Sequence, residues 1–306
     1  MNPEFEFGAF AAAHGYVLHH VIADGRLHRF PTAEDSRGER TGWYRLWSMP
    51  PRGVLGDWRR GDWRGIWRPG ADTVERPIPI ADLRPQRMQE EAQRRRQRAA
   101  GAEAAVLQWN TAGNADPDHP YLVKKQIGPG WLHQRNATLL VPLLDQGGEI
   151  RSLQWIWVDA EGTTQKRFLA GTSPKGLFYI AGKAELEAGD KPLLLCEGMA
   201  TAHSLFESTG LSTIAAMCAG NLTLVAISMR RRFPCRRFMV CADDDAARHD
   251  NPGLVAGAAA ALGSRAMVTK PVFSRPGAGT DFNDMAALEG HAAVADAIFY
   301  ALEAKS

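Results

Sequence analysis

The segment 238–247, "FMVCADDDAA", places three consecutive carboxylates directly after a short apolar run. The run predicts a buried strand, because it is short, continuous and apolar. Adjacent like charges repel by roughly 1 kcal/mol at 4 Å in water and by about 4 kcal/mol near a partly buried surface. Folding alone does not favour such a row, so we expect a cationic partner beside Asp243, Asp244 and Asp245.

Alternating strands and helices surround this segment. Short apolar runs predict strands over 192–196, 212–218, 236–242 and 265–270, and amphipathic or small-residue stretches predict helices over 199–209, 221–232 and 252–263. Gly210 is placed to end the first of these helices, and Asn221 and Asn251 are placed to cap the other two. Near-continuous apolar strands alternating with helices are typical of an α/β fold, a parallel sheet flanked by helices on both faces.

Acidic residues follow two of these strands. Glu197 comes directly after the strand at 192–196, and the three aspartates follow the strand at 236–242. Ligands of parallel sheets bind outside the carboxyl ends of the strands, so we expect these groups to converge. Because strand side chains alternate, Asp243 and Asp245 are expected on one side and Asp244 on the other.

A cluster of Glu197, Asp243 and Asp245 would suit Mg²⁺ or Mn²⁺, which bind a few carboxylates and complete their shell with water and phosphate oxygens. The competing interpretation is that these are ordinary polar residues at strand ends. A single acidic residue at a strand end favours this structural interpretation. Two acidic groups that converge at one edge favour the metal site instead.

The segment 279–285, "GTDFNDM", carries two further candidates, Asp281 and Asp284. Their spacing resembles a helix capping box, which would explain both without a functional role. The segment also follows the strand at 265–270 and so returns to the same edge of the sheet. Asp281 and Asp284 are therefore second-tier site residues, together with Asp244.

The rest of the chain predicts three further segments. Residues 1–75 hold five of the nine tryptophans, interleaved with arginine, and are expected to form a small β-rich module. Residues 76–116 are expected to form a helical linker, 117–185 a basic subdomain, and 186–306 the α/β domain. The tryptophans could stack on unpaired bases or could form the core of the module, and the core is the commoner role.

Composition excludes several classes. The 306 residues are 45% hydrophobic with a net charge of +2, which indicates a globular chain of about two domains. The four cysteines have no C-x-x-C spacing, so neither a zinc site nor a disulfide framework is indicated. No P-loop motif occurs. The absence of a signal peptide and of a long apolar stretch predicts a cytoplasmic protein without a membrane partner.

"LLLCEGMATAHSL" followed about forty residues later by "VCADDDAA" resembles the Toprim domain of bacterial-type primases, topoisomerases and some nucleases. Further motifs along the chain are similar to the primase-like Toprim proteins of conjugative plasmids, integrative elements and phages: "DGRLHRF", "GWYRLW", "HPYLVKKQI", "KRFLAG", "AGNL" and "GTDFNDM". The resemblance implies a small mixed subdomain before the Toprim sheet.

The resemblance also implies an activity, a metal-dependent nucleotidyl transfer that makes short RNA primers on single-stranded DNA of a mobile element. Glu197 would be the catalytic acidic residue, and Asp243 and Asp245 would complete the catalytic and metal-binding set with Mg²⁺ or Mn²⁺. The residues implied to bind nucleotide and DNA are Lys124, Lys125, Lys166, Arg167 and Lys175.

The implied partners are single-stranded DNA, ribonucleoside triphosphates and a replicative helicase. Two alternatives stay open: a Toprim nuclease that uses the same metal site, and a non-catalytic module that binds single-stranded DNA. The chain departs from the family pattern in lacking the Cys and His spacing of an N-terminal zinc ribbon, and in having Cys218 where an acidic residue is expected.

Overall fold

The computed structural model describes residues 2–35, 39–60, 63–70, 80–187 and 189–304, with only the backbone described for 80–90 and Glu187. Two compact units make up the chain, Met1–Arg87 and Met88–Ser306. Each is described by itself below. The segment boundaries expected from the sequence stay predictions.

The first unit combines one helix with an antiparallel sheet. Helix α1 (Pro3–Ala13) begins with the Asn2 side chain accepting a hydrogen bond from the Glu4 amide, and Pro3 occupies its first position. The four strands follow one another in the sheet in chain order: β1 (His28–Phe30), β2 (Gly42–Ser48), β3 (Pro51–Asp57) and β4 (Arg64–Trp67). A 3-10 turn, Trp58–Arg60, follows β3.

The core of this unit lies between α1 and the sheet. Phe7 of α1 is fully buried with Tyr44, Leu46, Leu55 and Trp67. The sequence indicated strands but missed α1, because the alternation of Glu and Phe in "EFEF" imitates the two-residue period of a strand.

Helix α2 spans Ile80–Thr111 and so lies within the segment predicted to be helical. The first residues of that segment, 76–79, lie outside the described residues. Near its end Ala105 is fully buried against Leu140, Leu153 and Leu169 of the following sheet.

The second unit opens with an antiparallel five-stranded sheet, whose strands lie in the order of the chain. Its strands are β5 (Gly113–Asn114), β6 (His133–Arg135), β7 (Thr138–Leu144), β8 (Ile150–Val158) and β9 (Thr164–Phe168). Helix α3 (Pro120–Lys125) covers one face, where Tyr121 and Leu122 are buried with Leu139 and Ile156. Helix α2 packs on the other face.

The second sheet has the order β10-β12-β11-β13-β14, with β11 to β14 parallel. Its strands are β10 (Tyr179–Ala181), β11 (Leu193–Cys196), β12 (Thr213–Ala215), β13 (Phe238–Cys241) and β14 (Met267–Thr269). The α/β fold predicted from the sequence is confirmed. Strand β10 adds an antiparallel edge beside β12 that the sequence did not predict, because three residues carry too short a pattern.

Helices cover both faces of this sheet, and alternate strand residues enter two separate cores. The helices are α4 (Lys183–Glu187), α5 (Met199–Thr209), α6 (Ala219–Arg232), α7 (Pro252–Ser264), α8 (Phe282–Glu289) and α9 (His291–Glu303). Helices α5, α8 and α9 border one core and α6 and α7 the other. Strands β11 and β13 are parallel neighbours, with Leu195 opposite Val240, so the residues that follow them emerge side by side.

Candidate active site

Glu197 emerges directly from β11 and lies at the start of helix α6. Its carboxylate accepts a hydrogen bond from the Ala219 amide in the first turn of that helix, where the helix dipole favours an anion. Burial nevertheless raises the pKa of Glu197, and the charges of Asp245 and Asp281 raise it further. The result is a half-buried carboxylate held at the carboxyl end of the sheet.

Asp243 is the most perturbed carboxylate of this region. Burial, then the charges of Asp281, Glu197, Asp245 and Asp284, raise its pKa to about 7. Its Oδ1 atom is buried without a hydrogen-bond partner. A desolvated, unpaired carboxylate oxygen beside other carboxylates is unfavourable for folding and is typical of a site that awaits a cation.

Asp244 and Asp245 have different surroundings, as the alternation of strand residues predicts. Lys270 Nζ lies 2.7 Å from one Asp244 oxygen, and Asn251 Nδ2 donates to the other at 2.7 Å. These bonds lower the pKa of Asp244 and favour a structural role. Asp245 instead accepts a hydrogen bond from the Gly253 amide at 3.2 Å and contributes to the charge around Asp243.

Gly253 allows the turn after β13 to approach helix α7 closely. A Cβ atom at this position would lie 2.7 Å from the Asp243 carbonyl oxygen and 3.1 Å from Asp245 Oδ2. A larger residue would therefore push the aspartate turn away from the helix.

Asp281 and Asp284 take part in capping helix α8, as their spacing predicts, and their place in a functional site stays a prediction. Asp281 caps α8, accepting a hydrogen bond from the Asp284 amide at 2.8 Å, and Asp284 accepts one from the Thr280 amide at 3.0 Å. Both carboxylates also raise the pKa of Asp243. Helix capping thus places two more negative charges at the edge of the sheet where Glu197 lies.

Lys166 and Arg167 are neighbours on β9 but point to opposite faces of its sheet. Lys166 pairs with Ile156 of β8, and its Nζ lies 5.2 Å from the centroid of the Tyr121 ring. Burial lowers the pKa of Lys166, and the charges of Asp281 and Glu197 oppose that shift. Lys166 therefore extends toward the carboxylates, whereas Arg167 pairs with Trp155 and lies on the other face.

Lys125 approaches the same acidic group from α3. Its Nζ lies 4.0 Å from Asp284 Oδ1, and its carbonyl oxygen accepts a hydrogen bond from the buried Asn283 side chain at 2.7 Å. Lys124 is exposed beside it. Asn283 lies within "GTDFNDM", yet the motif did not predict its role, because its partners are distant in the chain.

Lys175 lies in a separate basic cavity of about 260 Å³. The cavity is lined by Arg98, Arg151, Thr172, Ser173, Lys175 and Leu177. Arg151 is also paired with Asp145 at 2.7 Å. Three cations and two hydroxyl groups around one concavity suit a phosphate group.

The prediction that Asn221 caps helix α6 is wrong. The cap of helix α6 is Cys218, and Asn221 lies in the first turn with its side chain buried. Asn221 Oδ1 accepts a hydrogen bond from the Gly176 amide at 2.7 Å. Its Nδ2 lies within hydrogen-bond distance of the carbonyl oxygens of Pro174, Leu177 and Ala216. Asn221 therefore connects the turn that carries Lys175 to helix α6, at whose start Glu197 lies.

Arg248 is a cation beside Asp245 that the sequence pattern did not predict. Its Nη1 lies 3.8 Å from Asp245 Oδ2, and its charge lowers the pKa of Glu197. Arg248 thus supplies part of the positive charge expected beside the aspartates. Among the described residues, no three His, Cys, Asp or Glu side chains are close enough together to form a ready metal site.

Within the described part of the chain, none of the helices combines the length and hydropathy that crossing a bilayer requires. The cytoplasmic location stays a prediction.

Acidic side chains lie together at the carboxyl ends of the parallel strands. This arrangement indicates the class of domain. Residues 192–292 match the family described as the Toprim domain. Residues 192–292 thus form a Toprim domain, and most of the chain is similar to primase-like Toprim proteins, as its motifs indicated.

Particular relatives carry the name DNA primase. Two Escherichia coli proteins, both named DNA primase TraC, are 30% identical over 291 residues and 28% identical over 270 residues. The alignments cover 90% and 83% of this chain, but only 27% and 18% of the relatives. The chain thus spans little more than a quarter of the length of the first relative and less of the second.

Two solved structures are similar to this chain. The Aquifex aeolicus primase, with its zinc-binding and RNA polymerase domains, is 10% identical with a TM-score of 0.46, covering 99% of this chain and 84% of that one. The RNA polymerase domain of Mycobacterium tuberculosis primase DnaG is 17% identical with a TM-score of 0.42, covering 68% and 86%.

Proposed function

We propose that this chain is a DNA primase that synthesises short RNA primers on single-stranded DNA of a mobile element. Its substrates would be ribonucleoside triphosphates, and a replicative helicase stays a predicted partner. The observation that carries the proposal is Asp243, whose buried Oδ1 has no hydrogen-bond partner and whose pKa is raised by burial and by four neighbouring carboxylates. Such a site favours cations and the phosphate chemistry that depends on them.

The donor chemistry of the residues suits Mg²⁺ or Mn²⁺, and their carboxylates would have to move closer together to bind either ion. Asp243, Asp245 and Glu197 offer oxygen ligands, and the unpaired Asp243 oxygen lacks only a positive partner. A divalent ion at this position would lower the pKa of a primer 3′-hydroxyl and neutralise charge on a leaving pyrophosphate.

The cations around the site would bind phosphates. Lys166 and Lys125 both act electrostatically on Asp281, so they would hold a triphosphate close to the carboxylates. Lys175, Arg167 and Lys124 would contact template or nucleotide farther away. Glu197 would bind the metal or act as a general base toward the hydroxyl, and both roles require its carboxylate.

Incubation with single-stranded DNA, ribonucleotides and Mg²⁺ or Mn²⁺ tests the proposal. Labelled oligoribonucleotides would support a primase, shortened DNA would instead indicate a nuclease, and a gel shift alone a binding module. Glu197→Gln should lower primer synthesis by about tenfold or more while leaving DNA binding intact. Full synthesis by this variant would remove Glu197 from the mechanism.

Lys166→Met should lower kcat/KM for nucleotide addition by about tenfold, because the ammonium near Asp281 and Glu197 would no longer offset phosphate charge. Lys191→Met is a matched control, since it removes one positive charge from an exposed position before β11, at the end of the strand opposite Glu197. Equal losses in the two variants would contradict a specific role for Lys166.

A further inference from the structure

The sheet of the first unit has a face opposite α1 that the proposed catalytic site does not use. Tyr44 and Leu46 of β2 pack toward Phe7 of α1. Trp43 and Arg45 alternate with them along the strand and so point to the opposite face. We call this surface the Trp/Arg face. The strand register assigns it Arg29, Trp43, Arg45, Trp47, Arg52, Val54, Gly56, Arg64 and Ile66.

Arginine is the charged residue type at the nine positions that the strand register assigns to the Trp/Arg face. One row across the four strands reads Arg29, Trp43, Gly56 and Arg64. The other rows are Arg45, Val54 and Ile66, and then Trp47 and Arg52. These nine positions include four arginines and no carboxylate, which favours a polyanion as the ligand.

The aromatic rings of this face are held in place by backbone and arginine. A Cβ atom at Gly56 would collide with the Trp43 ring, so the glycine lets that ring lie against β3. Arg64 lies 6.0 Å from the Trp43 ring centroid, and Trp58 lies 6.0 Å from it at 35°. Arg29 in turn lies 4.7 Å from the Trp58 ring, which is about half exposed.

A second aromatic position repeats this arrangement. Arg52 lies 4.8 Å from the ring centroid of Trp47, its neighbour across the strands. Cation–π contact with a guanidinium group stabilises the orientation of a tryptophan ring. The face therefore presents ordered rings together with positive charge.

We propose that the Trp/Arg face binds single-stranded nucleic acid. Unpaired bases would stack on the tryptophans, and phosphates would contact the arginines. A duplex hides its base faces, and an acidic peptide offers few planar groups for the rings. The inference uses none of the proposed catalytic residues.

The test measures binding of the full chain to a fluorescent oligodeoxythymidine of about 20 nucleotides by anisotropy, in EDTA, at several salt concentrations. Trp43→Leu should weaken binding about fivefold or more with little change in salt dependence. Arg64→Gln, at an exposed position, should weaken binding and reduce the salt slope by about one phosphate contact.

Arg60→Gln is the matched control. It removes one charge from the same unit, but Arg60 lies 5.4 Å from the ring of Tyr16, which is buried in the core on the α1 side. The affinity of the Arg60→Gln variant for the oligodeoxythymidine should stay within about twofold of that of the wild type. Thermal melting of each variant separates loss of binding from loss of folding.

Unchanged affinity in both folded variants, Trp43→Leu and Arg64→Gln, would overturn the proposal. Equal losses for duplex DNA or for phosphatidylglycerol vesicles would also overturn it, because the face would then bind polyanions without reading unpaired bases. Since EDTA removes divalent ions, failure of primer synthesis leaves this result unaffected.

Discussion

Asp243→Asn is expected to abolish nucleotide addition and, in the same molecule, to raise the free energy of unfolding. Activity should fall by about 100-fold or more, because the amide has no negative charge and only one oxygen with which to bind the proposed metal. Stability should rise because the substitution removes a desolvated charge beside four other carboxylates. A gain on the order of 2 kcal/mol is expected near pH 8 without metal.

The direction of the pH dependence follows from the raised pKa. Folded Asp243 has a pKa of about 7, above the ordinary value of 3.8, so the folded state binds more protons between these values. Its charge therefore destabilises the wild type fully above about pH 7, and acidification relieves that cost. The advantage of Asp243→Asn should shrink as the pH is lowered toward 4.

Thermal melting in EDTA and in Mg²⁺, each near pH 8 and pH 5, checks this expectation. Magnesium should raise the melting temperature of the wild type more than that of the variant, since only the wild type has the full carboxylate set. A variant less stable than the wild type near pH 8 in EDTA would show that Asp243 supports folding, contrary to the site proposed here.

Local pattern was enough to predict the strands that position these carboxylates. The runs before Glu197 and Asp243 are short, apolar and continuous, and their parallel pairing follows from the helices between them. Alternation also anticipated the different surroundings of Asp244 and Asp245. The same rule applied to β9 would have separated Lys166 from Arg167, which the family resemblance had grouped together.

Contacts between distant segments could not be predicted in this way. The position of Asn221 directly before an apolar run predicts a helix cap. Its hydrogen-bond partners at Gly176 and Leu177, however, lie more than forty positions earlier in the chain. Arg248 was missed because a solvated arginine in a polar turn carries no periodic signal. Helix α1 was missed because its Glu and Phe residues alternate as in a strand.

Asn221→Ala is expected to lower both stability and nucleotide affinity. The partly buried amide of Gly176 and three carbonyl oxygens would lose their shared partner, a loss of about 3 kcal/mol. The Lys175 turn would lose its attachment to helix α6, so affinity for a nonhydrolysable nucleotide should fall about tenfold. Equilibrium denaturation and nucleotide titration measure the two effects.

Ser228→Ala provides a control on the same helix. Ser228 Oγ is buried without a hydrogen-bond partner, so its removal should change stability by about 0.5 kcal/mol or less and leave nucleotide affinity unchanged. Because Asn221 is proposed to act by positioning Lys175, Asn221→Ala should add little to the affinity already lost in Lys175→Met. Fully additive losses in the double variant would instead assign the two residues independent roles.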